Sequence, residues 1–473
     1  MARTKKAPIP SRSLALLTLP CVAQFLNVFD VNVVIVALPS IGADLGFSST
    51  GLQWVVTANV LCFAGFLLPA GRMADLYGSR RVFLSGLALV SAASLACGLA
   101  QSPVMLLIAR AAQGLGAATT SPAALSIITT SFTGGRRNVA LGVWTAVAAG
   151  GGAVGLVAGG AITDALGWEW VFLGVVPIAI ASLVASRLWL PGHGPRHDRG
   201  RVDLLGALLG TSGLSLLVYG MTRVEPGGRI IDAAVPLGIA AALIAAFLFA
   251  ESRVPDPLIP LRMFRSGDVA GSNLVALTLT ATTSSAGVLA VVYVQTVLDY
   301  SPSRAGFVLL PFSLLVIGGS AVGSWLIGRF GTRLGMAAGL VVIAVGLSFM
   351  ARISAEAGVS YVVGGVTLGG LGLGCASVAS TARGTAASST TDQGLASGLL
   401  NVSAQVGTAV GLAVFVTAAA LRSKAATATG EVALVEGYRF AFLLAAALAI
   451  CAVTVPMVLG RASSRSSHAE VTE

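Results

Sequence analysis

The chain alternates long apolar runs with short polar punctuation. Apolar runs near 14–38, 51–70, 82–100, 103–126, 139–162 and 170–190 lead into a polar linker, PGHGPRHDRGRVD, at 191–203. Two more lie near 204–222 and 231–250, and six follow near 270–297, 305–327, 335–353, 359–381, 394–420 and 439–460. A helix needs about 20 apolar residues to cross a bilayer, so the pattern predicts fourteen transmembrane helices. One stretch departs from it. ESRVPDPLIPLRMFRSGD, 251–268, is amphipathic and interrupted by proline, and it suits a short interfacial helix.

Composition agrees with the pattern. Charged residues make up 10% of the chain, hydrophobic ones 55%, and the mean hydropathy is +0.88; soluble domains carry about 25% charged residues. The fold class is therefore an all-α membrane protein. The net charge of +10 does not point to nucleic acid, because the basic residues sit in short segments between apolar runs, with no basic stripe interleaved with aromatics. They fit a topology signal instead. With the N-terminus inside, twenty-one of the 29 lysines and arginines fall on that side, seven on the other, and Arg110 within a span. That bias follows the positive-inside rule and places both termini in the cytoplasm. MARTKK with the run behind it lacks a cleavage site and reads as a retained first span. Arginine far outnumbers lysine, which with the abundant Ala and Gly suits a bacterial plasma membrane protein.

A repeat divides the chain. GRMADLYGSRR (71–81) and SWLIGRFGTRL (324–334) align on Tyr77-Gly78-Ser79-Arg80 and Phe330-Gly331-Thr332-Arg333, with Gly328 standing where the first copy has Asp75. The expected organisation is an N-terminal six-helix bundle at 1–190 and a C-terminal six-helix bundle at 269–460. Between them, 191–268 holds the linker, two inserted helices and the amphipathic cytoplasmic segment, and 461–473 is a cytoplasmic tail. Two related bundles of this kind form a transporter architecture with its site near the midplane between them.

Other chemistries find little support. Cys21, Cys62, Cys97, Cys375 and Cys451 lie in apolar runs without metal-ligand or disulfide spacing, and read as small apolar residues. His193, His197 and His468 fall in the linker and tail. With no catalytic constellation or serine nucleophile motif, the chain is not read as an enzyme. No Gly-x-x-x-x-Gly-Lys-Ser/Thr string occurs, GLGLGC (370–375) lies inside an apolar run, and direct ATP drive is not expected. Asn401-Val402-Ser403 matches a glycosylation triplet by chance, since it lies in a span. No cofactor or metal is expected, the proton gradient serving as energy source. The expected partners are a lipophilic small molecule, protons and the bilayer, with the chain acting as a monomer.

Two charges lie deep in the spans: Asp30, within NVFDVNVVIVALP, and Arg110. Each costs roughly 2.5–3.5 kcal/mol at a helix centre on insertion scales, so neither is expected to face lipid. Gln24, Asn27 and Asp30 are three apart, and so are Arg110 and Gln113. Those spacings suggest two facing walls of a polar pocket, with Trp54 and Phe63 nearby. Gln24, Asn27, Trp54 and Gln113 are the candidate substrate-cavity residues. Asp30 and Arg110 are the candidate proton-coupling pair, because burial disfavours a carboxylate's charge while a neighbouring cation favours it. Neutral amides in such places also serve as interhelical glue, a role that needs no ionisable group.

Four stretches carry a family likeness. GRMADLYGSRR places Gly71, Arg72, Asp75, Gly78, Arg80 and Arg81; LIARAAQGLGAA (107–118) is built on Arg110, Gln113, Gly114 and Gly116; FDVNVVIVALP (29–39) keeps Asp30, Ala37, Leu38 and Pro39; GWEWVFLGVVP (167–177) opens the sixth span. In this order they resemble the major facilitator superfamily, specifically its fourteen-helix drug:proton antiporter branch of multidrug and antibiotic exporters. The resemblance implies proton-coupled export of lipophilic or amphiphilic molecules by alternating access, with the 71–81 loop as a conformational latch. One departure stands out: in the fifth-helix antiporter motif, Leu156 takes the place of a proline. Gly151, Gly155 and Gly159 persist at four-residue spacing, with Gly160 beside them, and small residues so placed let helices approach closely. The alternative reading on the same fold is an importer or facilitator of a small metabolite, favoured by Leu156 and by the single deep acid.

Overall fold

The computed structural model describes residues 11–132, 134–190, 203–224, 229–254, 257, 261–354, 359–386, 393–426 and 430–457. The N-terminal residues 1–10, most of the linker, the tail at 461–473 and with them the three histidines lie outside the described residues, as does the side chain of Asp75. Fourteen long helices are described. The first six are α1 (Ser11–Leu45), α2 (Trp54–Tyr77), α3 (Ser79–Gly98), α4 (Pro103–Ser131), α5 (Gly134–Leu166) and α6 (Val175–Trp189), the last preceded by a short helix Glu169–Leu173. Next come α7 (Leu204–Thr222) and α8 (Ile230–Arg253). The last six are α9 (Gly267–Thr296), α10 (Pro302–Phe330), α11 (Thr332–Met350), α12 (Val359–Ala386), α13 (Gln393–Ala425) and α14 (Glu431–Ala452).

Eleven described helices are long and apolar enough to cross a membrane. The remaining three are α4, whose apolar run is interrupted by Arg110 and Gln113, and α5 and α7, with apolar stretches Gly150–Leu166 and Leu205–Met221. Several helix starts follow from local chemistry. Ser102 and Ser301 each accept a hydrogen bond from the backbone N–H three residues on, and each is followed by proline at the first helical position, where its missing N–H costs nothing. Gly78 and Gly331 turn α2 into α3 and α10 into α11 with φ of 90° and 84°, a conformation that favours glycine.

The two halves repeat one packing plan. In the first, α3 and α4 cross where Gly86 meets Gly116, and α4 crosses α2 where Gly114 meets Asn59; in the second, Gly339 meets Gly372 and Gly370 meets Phe312. Likewise α5 seats on α1 through Gly151 and Gly155, against Phe25 and Phe29, as α13 seats on α9 through Gly407 and Gly411, against Leu277 and Ala281. These contacts fix a register in which Asp30 corresponds to Thr282 and Arg110 to Val366, so the second half has no counterpart of the deep ion pair.

The inserted helices α7 and α8 pair with each other, and α7 lies against both α2 and α13, across the seam of the two halves. Two expectations change here. The described part of 251–268 holds no α-helix of its own: α8 runs on to Arg253, and a five-residue 3-10 turn, Leu261–Arg265, precedes α9. Prolines at 255, 257 and 260 cannot donate the hydrogen bonds an α-helix requires. Glu251, assigned to that segment, is a buried residue of α8 packed near Gly206 of α7.

Candidate functional site

Asp30, Arg110 and Gln113 form one closed cluster, exposed by 5%, 0% and 2%. Arg110 Nη1 donates to Asp30 Oδ2 and to Gln113 Oε1, both at 2.6 Å, and Gln113 Nε2 donates to Asp30 Oδ1 at 2.8 Å. Gln113 Nε2 also reaches Ser94 Oγ at 2.9 Å, and Arg110 Nε donates to the Val55 carbonyl at 2.9 Å. The guanidinium lies over the Phe172 ring, 5.7 Å from its centroid. Both carboxylate oxygens are thus held, and four helices (α1, α2, α3 and α4) meet on one charge pair. Breaking such a pair by removing one partner costs about 3–5 kcal/mol, because a buried charge is left uncompensated.

A separate cavity of about 400 Å³ lies between the halves. Gln24, Asn27, Asn59 and Phe63 line it from the first half, and Phe312, Asn401 and Gln405 from the second. The expected single polar pocket is therefore two places. Gln24 and Asn27 face the cavity, whereas Asp30, Arg110 and Gln113 are sealed behind α1. Helix geometry explains the split: at 3.6 residues per turn, each three-residue step falls about 60° short of a full turn, so Asp30 is rotated about 120° from Gln24. Trp54 is a further correction. It lies outside the cavity wall and packs against Tyr219 of α7, ring centroids 6.5 Å apart, because the inserted pair covers that end of α2.

The fifth-helix glycines divide by neighbour. A Cβ on Gly151, Gly155 or Gly159 would come within about 3 Å of the α1 backbone at Phe25, Phe29 and Val33, so these three glycines seat α5 on α1. Gly160 faces the other half, where a Cβ would stand 2.5 Å from the Pro302 carbonyl oxygen and from Ser303 Cα. Leu156 lines the cavity, and its carbonyl abuts Gly306. On the side of the bundle where α1 ends, hereafter the far side, Asp164 Oδ2 accepts from the Ser303 N–H at 3.0 Å and Gln295 Nε2 donates to the Val36 carbonyl at 2.9 Å. Both bonds join the two halves.

At the near side, where α1 begins, Gly71 packs beside Pro122 and Arg72 is half-buried. Arg80 donates to the Arg187 carbonyl in the last turn of α6, while Arg81 is exposed. Arg80 thus binds a helix C-terminus, as its charge favours, but within its own half. Sequence reasoning missed the second half's own device: Arg383 of α12 pairs with Asp268 of α9 and donates to Thr332 Oγ1 of α11. Arg383 was visible as a charge at a span end, and its partner only in three dimensions.

The family model described as Major Facilitator Superfamily matches residues 21–412. The chain belongs to the major facilitator superfamily. This transporter is 40% identical over 422 residues to the cephamycin export protein CmcT of Amycolatopsis lactamdurans, covering 88% of this chain and 87% of that one. It is 36% identical to the puromycin resistance protein of Streptomyces alboniger, covering 92% and 88%. In fold it is similar to the crystal structure of a bacterial homologue of the human lysosomal transporter Spinster, in an inward-facing and unoccupied conformation, with TM-score 0.68, 19% identity and coverage of 96% and 98%. The transporter family agrees with the fourteen spans and with a cavity placed between two repeated halves.

Proposed function

We propose that this transporter is a proton-coupled exporter of lipophilic or amphiphilic small molecules, working by alternating access in a bacterial plasma membrane with both termini cytoplasmic. The observation that carries the proposal is the position of Asp30 on α1: one face of this helix binds Arg110 and Gln113, and the adjoining face carries Gln24 and Asn27 into the cavity. A proton on Asp30 removes the charge that compensates the Arg110 guanidinium. The buried guanidinium then lacks a counter-charge, a cost of several kcal/mol that favours a conformation in which water reaches it. Movement of α1 changes the cavity wall in the same step. Proton and substrate therefore communicate through a shared helix and do not compete for one carboxylate. Near-side Arg72, Asp75, Arg80 and Arg81 act as the latch that the family resemblance implies.

Export, rather than uptake, is supported by the relatives named for export and resistance. The test is transport in proteoliposomes. Wild type accumulates substrate against its gradient when a pH gradient is imposed, and Asp30→Asn loses this accumulation while retaining counterflow of labelled substrate. Full gradient-driven accumulation by Asp30→Asn overturns the coupling role. A susceptibility panel in an efflux-deficient host, with and without the gene, separates exporter from importer by the sign of the change.

A further inference from the structure

The cavity wall is polar without being charged. Its polar side chains are amides and hydroxyls contributed by both halves, and none of its described residues is ionisable. Asp30 is no exception, since it lies behind α1 with both oxygens held by Arg110 and Gln113. The side-chain amides of Gln24, Asn401 and Gln405 reach the cavity and make no hydrogen bond among the described residues. An amide presents both donors and acceptors, so three unengaged amides form a surface that suits carbonyl, hydroxyl and amide groups.

A second pocket, of about 290 Å³, continues the cavity toward the near side between α9, α12 and α13, sharing Thr280, Leu373 and Asn401 with it. Three of its five hydroxyls are unusual for membrane helices. Thr282, Thr283 and Ser285 on α9 each donate to the carbonyl four residues back, the usual way a hydroxyl is satisfied within a span. Ser377, Thr381 and Ser397, which line the pocket, make no side-chain hydrogen bond among the described residues. Opposite this polar end, Phe63, Leu309, Phe312 and Met350 give the cavity an apolar wall.

We propose that the substrates are uncharged, oxygen-rich amphiphiles, with the apolar body against Phe63, Phe312 and Met350 and the hydroxyl, carbonyl or amide groups in the pocket of Ser377, Thr381 and Ser397. The proposal rests on the export reading and narrows its substrate class. The physical reason is desolvation. A charged substrate entering this cavity gives up its hydration with no counter-charge on the wall, whereas a neutral polar group exchanges water for amide and hydroxyl partners. Together the two spaces fall within the range of roughly 300–1,000 Å³ that drug-sized ligands occupy.

The experiment measures binding to the purified full-length chain in nanodiscs with no gradient present. The probes are hydrocortisone and chloramphenicol, both uncharged and oxygen-rich, each compared with its hemisuccinate ester and with its trimethylammonioacetate ester. The expected result is that at least one parent binds about tenfold or more tighter than both of its charged esters. Equal or tighter binding of an ester, or binding of neither parent, overturns the proposal. Ser377→Ala with Thr381→Ala weakens the parent that binds by about fivefold or more, and a double variant that binds it as wild type overturns the assignment of the pocket. Asn401→Asp raises the affinity of the cationic ester about tenfold, a gain that a purely structural role for Asn401 does not produce. Binding needs no proton gradient. A parent that binds yet is not driven out by a pH gradient removes the proton-coupled reading and leaves the substrate class standing.

Discussion

Asp30 and Arg110 do opposite things to the protein that holds them. Each alone is a liability in an apolar bundle; together, with Gln113 and the Val55 carbonyl, they form one hydrogen-bonded cluster in which only Arg110 Nη2 lacks a partner among the described residues. Arg110→Ala leaves Asp30 buried without its cation and is expected to lower stability by about 3–5 kcal/mol. The measurement is the midpoint of thermal aggregation in detergent, where a wild-type value for Arg110→Ala would contradict the cluster. Asp30→Asn keeps the shape but only one acceptor for two donors and no counter-charge for Arg110, so it is expected to fold with lowered stability and to bind while losing proton drive, as vesicle transport reads out. The pair was legible in the sequence because charge is so rare within these spans. Its place behind α1 was not: the three-residue spacing of Gln24, Asn27 and Asp30 looks like one face, and only the accumulated rotation along α1 separates cavity from cluster.

Among the helices, the glycines decide how far each contact can yield. At Gly160 the opposing atoms are backbone, the Pro302 carbonyl oxygen and Ser303 Cα, and cannot move without shifting α10. At Gly398 of α13 the nearest atom is the end of a flexible Leu68 side chain on α2. Gly160→Val is therefore expected to part the far side and bias the transporter toward that opening, and Gly398→Ala to be tolerated. Accessibility of a single cysteine in the cavity to a thiol reagent added from the far side measures this. Equal labelling in Gly160→Val and wild type would rule it out. Periodicity located Gly151, Gly155 and Gly159 on α5, with Gly160 beside them, but their neighbours on α1 and α10 lie far off in the chain and left no signal in it.

For the whole molecule, the two halves meet at the far side through Asp164 and Ser303 and through Gln295 and Val36. Asp164→Cys with Ser303→Cys, in a background lacking the five native cysteines, is expected to form a disulfide that stops transport and to recover on reduction. Undiminished transport by the oxidised pair would mean that these ends do not separate in the cycle. The mechanism also carries an electrical consequence. If an uncharged substrate leaves as a proton enters, each cycle moves net charge, so an imposed membrane potential alone drives export at equal pH. Potential-independent transport would require a charged substrate or a compensating ion.

The sequence by itself determined the class, the fourteen spans, the repeat and the rare charges, because a bilayer penalises every polar departure and so writes topology into local composition. It also gave the turn at Gly78 and its partner at Gly331, where local backbone geometry selects the residue. The tertiary structure alone decided where the pair of Asp30 and Arg110 sits and which other polar groups meet. Trp54 turned out to face Tyr219 and not the cavity, Asp268 to face Arg383, and the ionisable pair to be sealed away from a neutral wall. Those outcomes depend on helix rotation and on contacts between residues distant in the chain. Local hydropathy does not encode either one.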